Sequence, residues 1–306
     1  MPPNPLGSFT FDPVAVVLML GVTGFFGWSS RRVRIGRAQW WSLGIAVAVW
    51  AVATLSFIGV YTPQLFWVRA LQILLLCYVV PCLLALARPV SVLRGALGEP
   101  GWLDAVLGSP VAKVLLSPPV TSIAMLALPW LLYLTGWYVA SMTGAAAAVT
   151  RIVLLVVGFA YFYARLQADP VPHRYPPLMS IGITVAEGIG DGILGLVLWL
   201  GPIIAYEYYT GLHRGFGPSL REDQTWGAGI LWILGDVLGV PFIMLLMRAL
   251  GADERRKAAE VDAQLDAGAA AVGPAAGPAT ETAAGAPDAG GGLWWQNDPQ
   301  LRDRYR

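Results

Sequence analysis

Lysine, histidine and cysteine each occur only twice in this chain, and charged residues make up only 13% of it. Each shortage excludes a class of chemistry. Lys113 and Lys257 both lie outside the long apolar runs, so no lysine is available inside them for a retinal-type Schiff base. His173 sits beside Pro172 in a short polar connection and His213 in another, with no second histidine near either, so neither makes a metal site alone. Cys77 and Cys82 share one apolar segment, which excludes a disulfide framework and a Cys-rich zinc site. Five apart on a helix, they point about 140° from each other, and small buried hydrophobes is a better reading of them than copper thiolates. Pro81, between them, frees the carbonyl of Cys77 and can bend the chain. No Walker loop, GxSxG elbow or HExxH pair is present. So few charges beside 56% hydrophobic residues and 13 Trp exclude an ordinary soluble domain. What remains is an integral membrane protein.

The apolar runs at 14–29, 40–60, 64–87, 119–141, 146–166, 179–205 and 226–249 read as spanning helices. The expected fold is therefore all-α, a seven-helix transmembrane bundle. No Lys or Arg precedes the first run and no small-residue cleavage pattern follows it, so it reads as a retained helix. Arg31, Arg32, Arg34 and Arg37 crowd the first connection; Arg88, Arg94 and Lys113 lie in the third; Arg165 and Arg174 in the fifth; Arg248, Arg255, Arg256 and Lys257 follow the last run. The alternate connections carry only Arg214 and Arg221. The positive-inside rule then puts the N-terminus outside and the C-terminus in the cytoplasm.

Two segments stand apart from the spans. The third connection, from Pro89 to Pro118, has helically spaced apolar positions interrupted by Gly and Pro, as expected of a segment lying along the headgroups. Residues 1–250 read as the membrane domain and 251–306 as a cytoplasmic tail. The tail comprises a short charged helix, an Ala/Gly/Pro tract from Gly268 to Gly292 expected to be linker or disorder, and the ending LWWQNDPQLRDRYR. In that ending Trp294, Trp295, Asn297, Asp298 and Pro299 are candidates for docking a partner, with a merely sticky tail the equal alternative.

The polar residues inside the spans are the candidate site. They are Arg69 and Gln72 in the third run, Arg151 in the fifth, Glu187 and Asp191 in the sixth and Asp236 in the seventh. A charge near the centre of a spanning helix costs roughly 2.5–3.5 kcal/mol and calls for a partner. Each Arg could snorkel to the headgroups, but the short Asp side chains cannot. The expectation is an Arg–Asp pair joining helix 3 or 5 to helix 6 or 7, with Glu187 out of reach of Arg69 and Arg151 and left uncharged. On that basis Asp191→Asn is expected to reduce folded protein more than Glu187→Gln. Gly188 and Gly192 in the sixth run and Gly235 and Gly239 in the seventh have the spacing that lets two helices approach closely.

Three stretches in order, LFWVRALQILLLCYVVPCLLALARPVSVLRGAL, VVGFAYFYARLQADPVPHRYP and DQTWGAGILWILGDV, resemble the caa3-type cytochrome c oxidase assembly factors of the CtaG group. The resemblance covers about Tyr61 to Asp266, and the ending WWQNDPQLRDRYR is similar to the tails of actinobacterial members. It implies a seven-helix protein of the bacterial cytoplasmic membrane, binding or chaperoning a copper-containing terminal oxidase and not acting as an enzyme. It also implies histidines as copper ligands, and here those slots hold Arg69, Ile73, Arg151 and Asp191. Copper is thus implied by the resemblance while its expected ligands are absent, and no metal or other cofactor is expected. The partners implied are the bilayer and an oxidase subunit or another assembly protein, with no nucleic acid. A proton or small-ion transporter using the buried charges is the rival reading, and a structural membrane subunit a third.

Overall fold

The computed structural model describes residues 7–172 and 177–272, and among them every regular element is helical. The first helix, α1 (Pro13–Ser29), starts where its residues dictate: Asp12 is the N-cap, accepting from the backbone N–H groups of Val14 and Ala15, and Pro13 occupies the first turn. After α2 (Arg37–Leu55) and the single turn α3 (Phe57–Tyr61), the chain enters α4 (Phe66–Leu74). A π turn at Leu75–Val79 joins α4 to α5 (Val80–Leu86). This continuous rod is the centre of the molecule. In the apolar stretch Phe66–Leu97, 56% of the richest window is buried, against 17–39% in the three other long apolar helices.

Pro81 explains how a neighbour packs onto that rod. Lacking an N–H, it leaves the carbonyl of Cys77 without its helical donor. The backbone of Gly158 comes so close to that carbonyl that a Cβ added there would lie 2.1 Å from Cys77 O and 2.8 Å from the Pro81 ring. Only glycine fits at that contact. It lies in α11 (Gly144–Leu166), so the rod and α11 are apposed through backbone rather than long side chains.

Between these two lie the elements of the third connection and the fourth apolar run. Arg88, at φ +56°, turns the chain sharply into α6 (Pro89–Leu97), which α7 (Gly101–Gly108) and α8 (Pro110–Leu115) follow. Trp102, Val106, Val111, Val114 and Leu115 are exposed on α7 and α8. Then come α9 (Pro118–Leu134), with Pro129 inside it, and the turn α10 (Trp137–Ala140).

The chain closes with α12 (Pro177–Leu200), α13 (Tyr206–Gly211), α14 (Leu220–Gly229), a second π turn at Ile230–Leu234, and α15 (Gly235–Val272). Four stretches, Arg37–Tyr61, Phe66–Leu97, Gly144–Leu166 and Leu178–Leu200, are long and apolar enough to cross a membrane, and Pro13–Ser29 and Pro118–Leu134 are shorter apolar helices. Among the described glycines, Gly192 and Gly195 of α12 meet a neighbour closely and Gly239 does not. Cβ atoms at Gly192 and Gly195 would meet Trp232 at 3.3 and 2.8 Å, and one at Gly188 would lie 3.7 Å from Asp236 Oδ1, but Gly239 faces open space. A large indole, that of Trp232, lies against Gly192 and Gly195.

Compact packing divides the chain at Arg255/Arg256. The described part of the second unit, residues 256–272, is helical throughout. Helix thus continues past Gly268, where the sequence reading began its linker, because Ala269, Ala270 and Ala271 are strong helix formers. Trp294, Trp295, Asn297, Asp298 and Pro299 lie outside the described residues, as do His173 and Arg174.

Candidate functional site: charges held inside the bundle

Some of the buried charges are paired, though not as the sequence suggested, and others are met only by neutral groups. Arg151 Nη2 meets Asp12 Oδ2 at 2.8 Å, so the carboxylate that caps α1 also ties it to α11. Asp12 lies ahead of the first apolar run and was not counted among the intramembrane acids. Its signal was local: an Asp immediately before Pro at the start of an apolar helix is an N-cap signature.

Arg69 is 1% exposed and pairs with no carboxylate among the described residues. Its Nη2 donates to Ser141 Oγ at 2.7 Å and its Nη1 makes a long contact of 3.5 Å with Gln72 Oε1, while its Nε has no acceptor. Gln72 in turn donates to the Ala53 carbonyl at 2.8 Å, tying α4 to α2. The expected Arg69–Asp191 or Arg69–Asp236 pair does not form. Asp191 Oδ2 instead accepts from the hydroxyl of Tyr78, nine residues beyond Arg69 and thus about 13 Å further along the rod.

The central ion pair uses residues that had been given other roles. Arg165, counted as a loop cation, is 1% exposed in the last turn of α11. Its Nη1 donates to Glu187 Oε1 at 3.2 Å and Oε2 at 3.3 Å and to Ser122 Oγ at 2.7 Å. Its Nη2 donates to the Ser180 carbonyl at 2.8 Å and to Thr184 Oγ1. Tyr161, beneath the guanidinium at 4.7 Å, donates its hydroxyl to Glu187 Oε2 at 2.6 Å. Glu187, expected to be uncharged for want of a cation, therefore sits in a charge-assisted network linking α9, α11 and α12. The reach of Arg69 and Arg151 does not decide the pairing, because Arg165 supplies the cation. Arg165 enters from the opposite end of α11.

The motif residues outside the spans act as clasps. Asp223 is 1% exposed; its Oδ1 accepts from Trp67 N at 2.9 Å, at the open N-terminus of α4, and its Oδ2 meets Arg214 Nη1 at 2.7 Å. Gln224 beside it donates to the Leu198 and Pro202 carbonyls at 2.6 and 2.9 Å and accepts from Ile204 N at 2.7 Å, closing the turn after α12. Asp169 accepts from Val90 N and Ser91 N, both at 2.8 Å, and so caps α6 from a distant loop. Ser219 and Glu222 form a capping box, and these bonds hold the Glu222 carboxyl below its ordinary value.

Glu187, Asp191 and Asp236 line one cavity of about 480 Å³, with Tyr78, Tyr161, Cys82 and Met125 among its walls. Cys77 is fully buried, its Sγ 3.4 Å from Met125 Sδ, while Cys82 is half-buried. The four histidine slots do not converge on a metal-binding set. Ile73 is buried apolar side chain, Arg69 and Arg151 offer only donors, and Asp191 is bonded to Tyr78. Among the described residues no three His, Cys, Asp or Glu side chains form a group able to hold a metal ion.

The family model of the cytochrome c oxidase caa3 assembly factor matches residues 15–251. Similar curated proteins include an uncharacterized protein of Mycobacterium leprae, 27% identical over 289 residues (87% of this chain, 43% of that protein). Another is an uncharacterized protein of Mycobacterium bovis, 26% identical over 265 residues (82% of this chain, 40% of that protein). The chain thus spans about two fifths of the length of these relatives. No solved structure matches. The matched region runs from α1 into α15 and takes in Arg69, Arg151, Arg165, Glu187, Asp191, Asp223 and Asp236, so this chain belongs to the cytochrome c oxidase caa3 assembly factor family.

Proposed function

We propose that this protein is a non-catalytic assembly factor of the bacterial cytoplasmic membrane that binds a terminal oxidase subunit, or another assembly protein, during maturation of the oxidase. The observation that carries the reading is the family match over most of the helical unit. The proposed topology is seven spans with the N-terminus outside. Its support is the alternation of arginine-rich connections, together with the six apolar helices and the π-broken segment that follows α14.

Three of the family's four slots do not fit copper, since the guanidinium and alkyl groups of Arg69, Arg151 and Ile73 have no lone pair to donate, and the fourth, Asp191, is bonded to Tyr78 and stands without a second ligand among these slots. We propose that salt bridges and hydrogen bonds take the place of metal ligation here, so the bundle serves protein contacts and carries no resident copper. Affinity purification of the tagged protein from its own membranes, with metal analysis of the eluate, tests this. Oxidase subunits should co-purify and copper should stay far below one per chain after dialysis. Copper at one per chain, lost when Cys77 and Cys82 are changed to Ser, would overturn the metal-free reading. Absence of every respiratory component from the eluate would overturn the assembly reading.

A further inference from the structure

The cavity beside Glu187 has a charge imbalance that the helix-packing role does not use. Glu187 is compensated by Arg165, so that pair contributes no net charge. Asp191 has only the Tyr78 hydroxyl on Oδ2, and Asp236 has no ion pair among the described residues. Two carboxylates therefore face an enclosure of about 480 Å³ without a counter-cation, a volume within the range of small-molecule sites.

The remaining walls select the ligand. Leu83, Leu86, Leu126, Val185, Ile243 and Leu245 are hydrocarbon and suit an apolar body. An ionised carboxylate is acceptor-only, so the polar end must be a donor or a cation. Phe162, also in the wall, adds an aromatic ring to which a cation is attracted. A bare metal ion suits the site poorly: the space far exceeds a dehydrated ion, and no three His, Cys, Asp or Glu side chains converge among the described residues. The exposed Asp236 and the buried Glu187 mark an open and a closed end. We propose that this cavity binds an amphipathic organic monocation, its charge between Asp191 and Asp236 and its apolar body against the leucine wall.

The test uses the full chain in nanodiscs of zwitterionic lipid and radiolabelled tetraphenylphosphonium as the probe, with empty nanodiscs as background. Saturable binding near one per chain is expected, weakened at least tenfold by Asp191→Asn and by Asp236→Asn. Gly188→Leu supplies an independent variant that keeps both carboxylates: its new Cβ meets only Asp236 Oδ1, at 3.7 Å, so the helix accepts it while the side chain enters the cavity. It too should weaken binding at least tenfold, with an unchanged size-exclusion profile. Uncharged triphenylphosphine oxide and fully polar choline should compete poorly. Binding no greater than in empty nanodiscs would overturn the proposal. So would binding unaffected by all three variants, or displacement equally well by the neutral analogue or by sodium or zinc chloride.

Discussion

Changing Arg165 to Met tests whether the Arg165–Glu187 network holds the bundle together. The substitution keeps much of the side-chain volume but removes donors to Glu187, Ser122, the Ser180 carbonyl and Thr184. Glu187 is then left with Tyr161 as its remaining donor in this network. Removing one partner of a buried pair costs about 3–5 kcal/mol, and at about 1.4 kcal/mol per decade that lowers the folded-to-unfolded ratio by at least two powers of ten. Glu187→Gln should also destabilise, because the guanidinium then lacks a counter-charge. The double variant should cost less than the sum of the singles by about 1–3 kcal/mol, the coupling expected of contacting residues. Unfolding in mixed micelles with increasing dodecyl sulfate can be followed by thiol labelling in a Cys82→Ser background, since Cys77 is fully buried until the bundle opens. Strict additivity, or an Arg165→Met protein within about 0.5 kcal/mol of the parent, would refute the reasoning. Asp191→Asn should be the milder change, since Asp191 loses a hydrogen bond from a neutral hydroxyl rather than an ion pair.

Gly158→Ala should destabilise by about 1–3 kcal/mol, because its Cβ would meet backbone that cannot swing aside; a parental melting temperature would contradict the close approach. Asp223→Ala should cost more than loss of an ordinary helix cap, about 1 kcal/mol, since it also strands Arg214, whose side chain is 7% exposed. Proteolysis of the Gly201–Ser219 connection would report that loosening. The capping box at Ser219 should be sensitive to acid: a carboxyl depressed by folding stabilises above its unfolded value, near 4.3, and that contribution disappears as pH falls through the lower folded value. Amide exchange at Glu222, corrected for intrinsic rate, should accelerate over that range, and Glu222→Gln should remove the pH dependence.

Hydropathy and residue chemistry alone were enough for an all-helical membrane chain, because a spanning segment must satisfy its own backbone and only a long apolar helix does so locally. They also picked out Arg69, Gln72, Arg151, Glu187, Asp191 and Asp236 as the residues needing partners, since the cost of a buried charge follows from residue type and position along the run. Who pairs with whom was not legible, because pairing depends on how helices rotate and where they cross. Asp12 reaches Arg151 only when tertiary folding brings the start of α1 within side-chain reach of α11, and Arg165 reaches Glu187 only when the last turn of α11 comes within reach of α12. The roles of Asp169 and Asp223 were equally hidden: each caps a helix 79 or 156 residues away, a contact that tertiary folding alone creates.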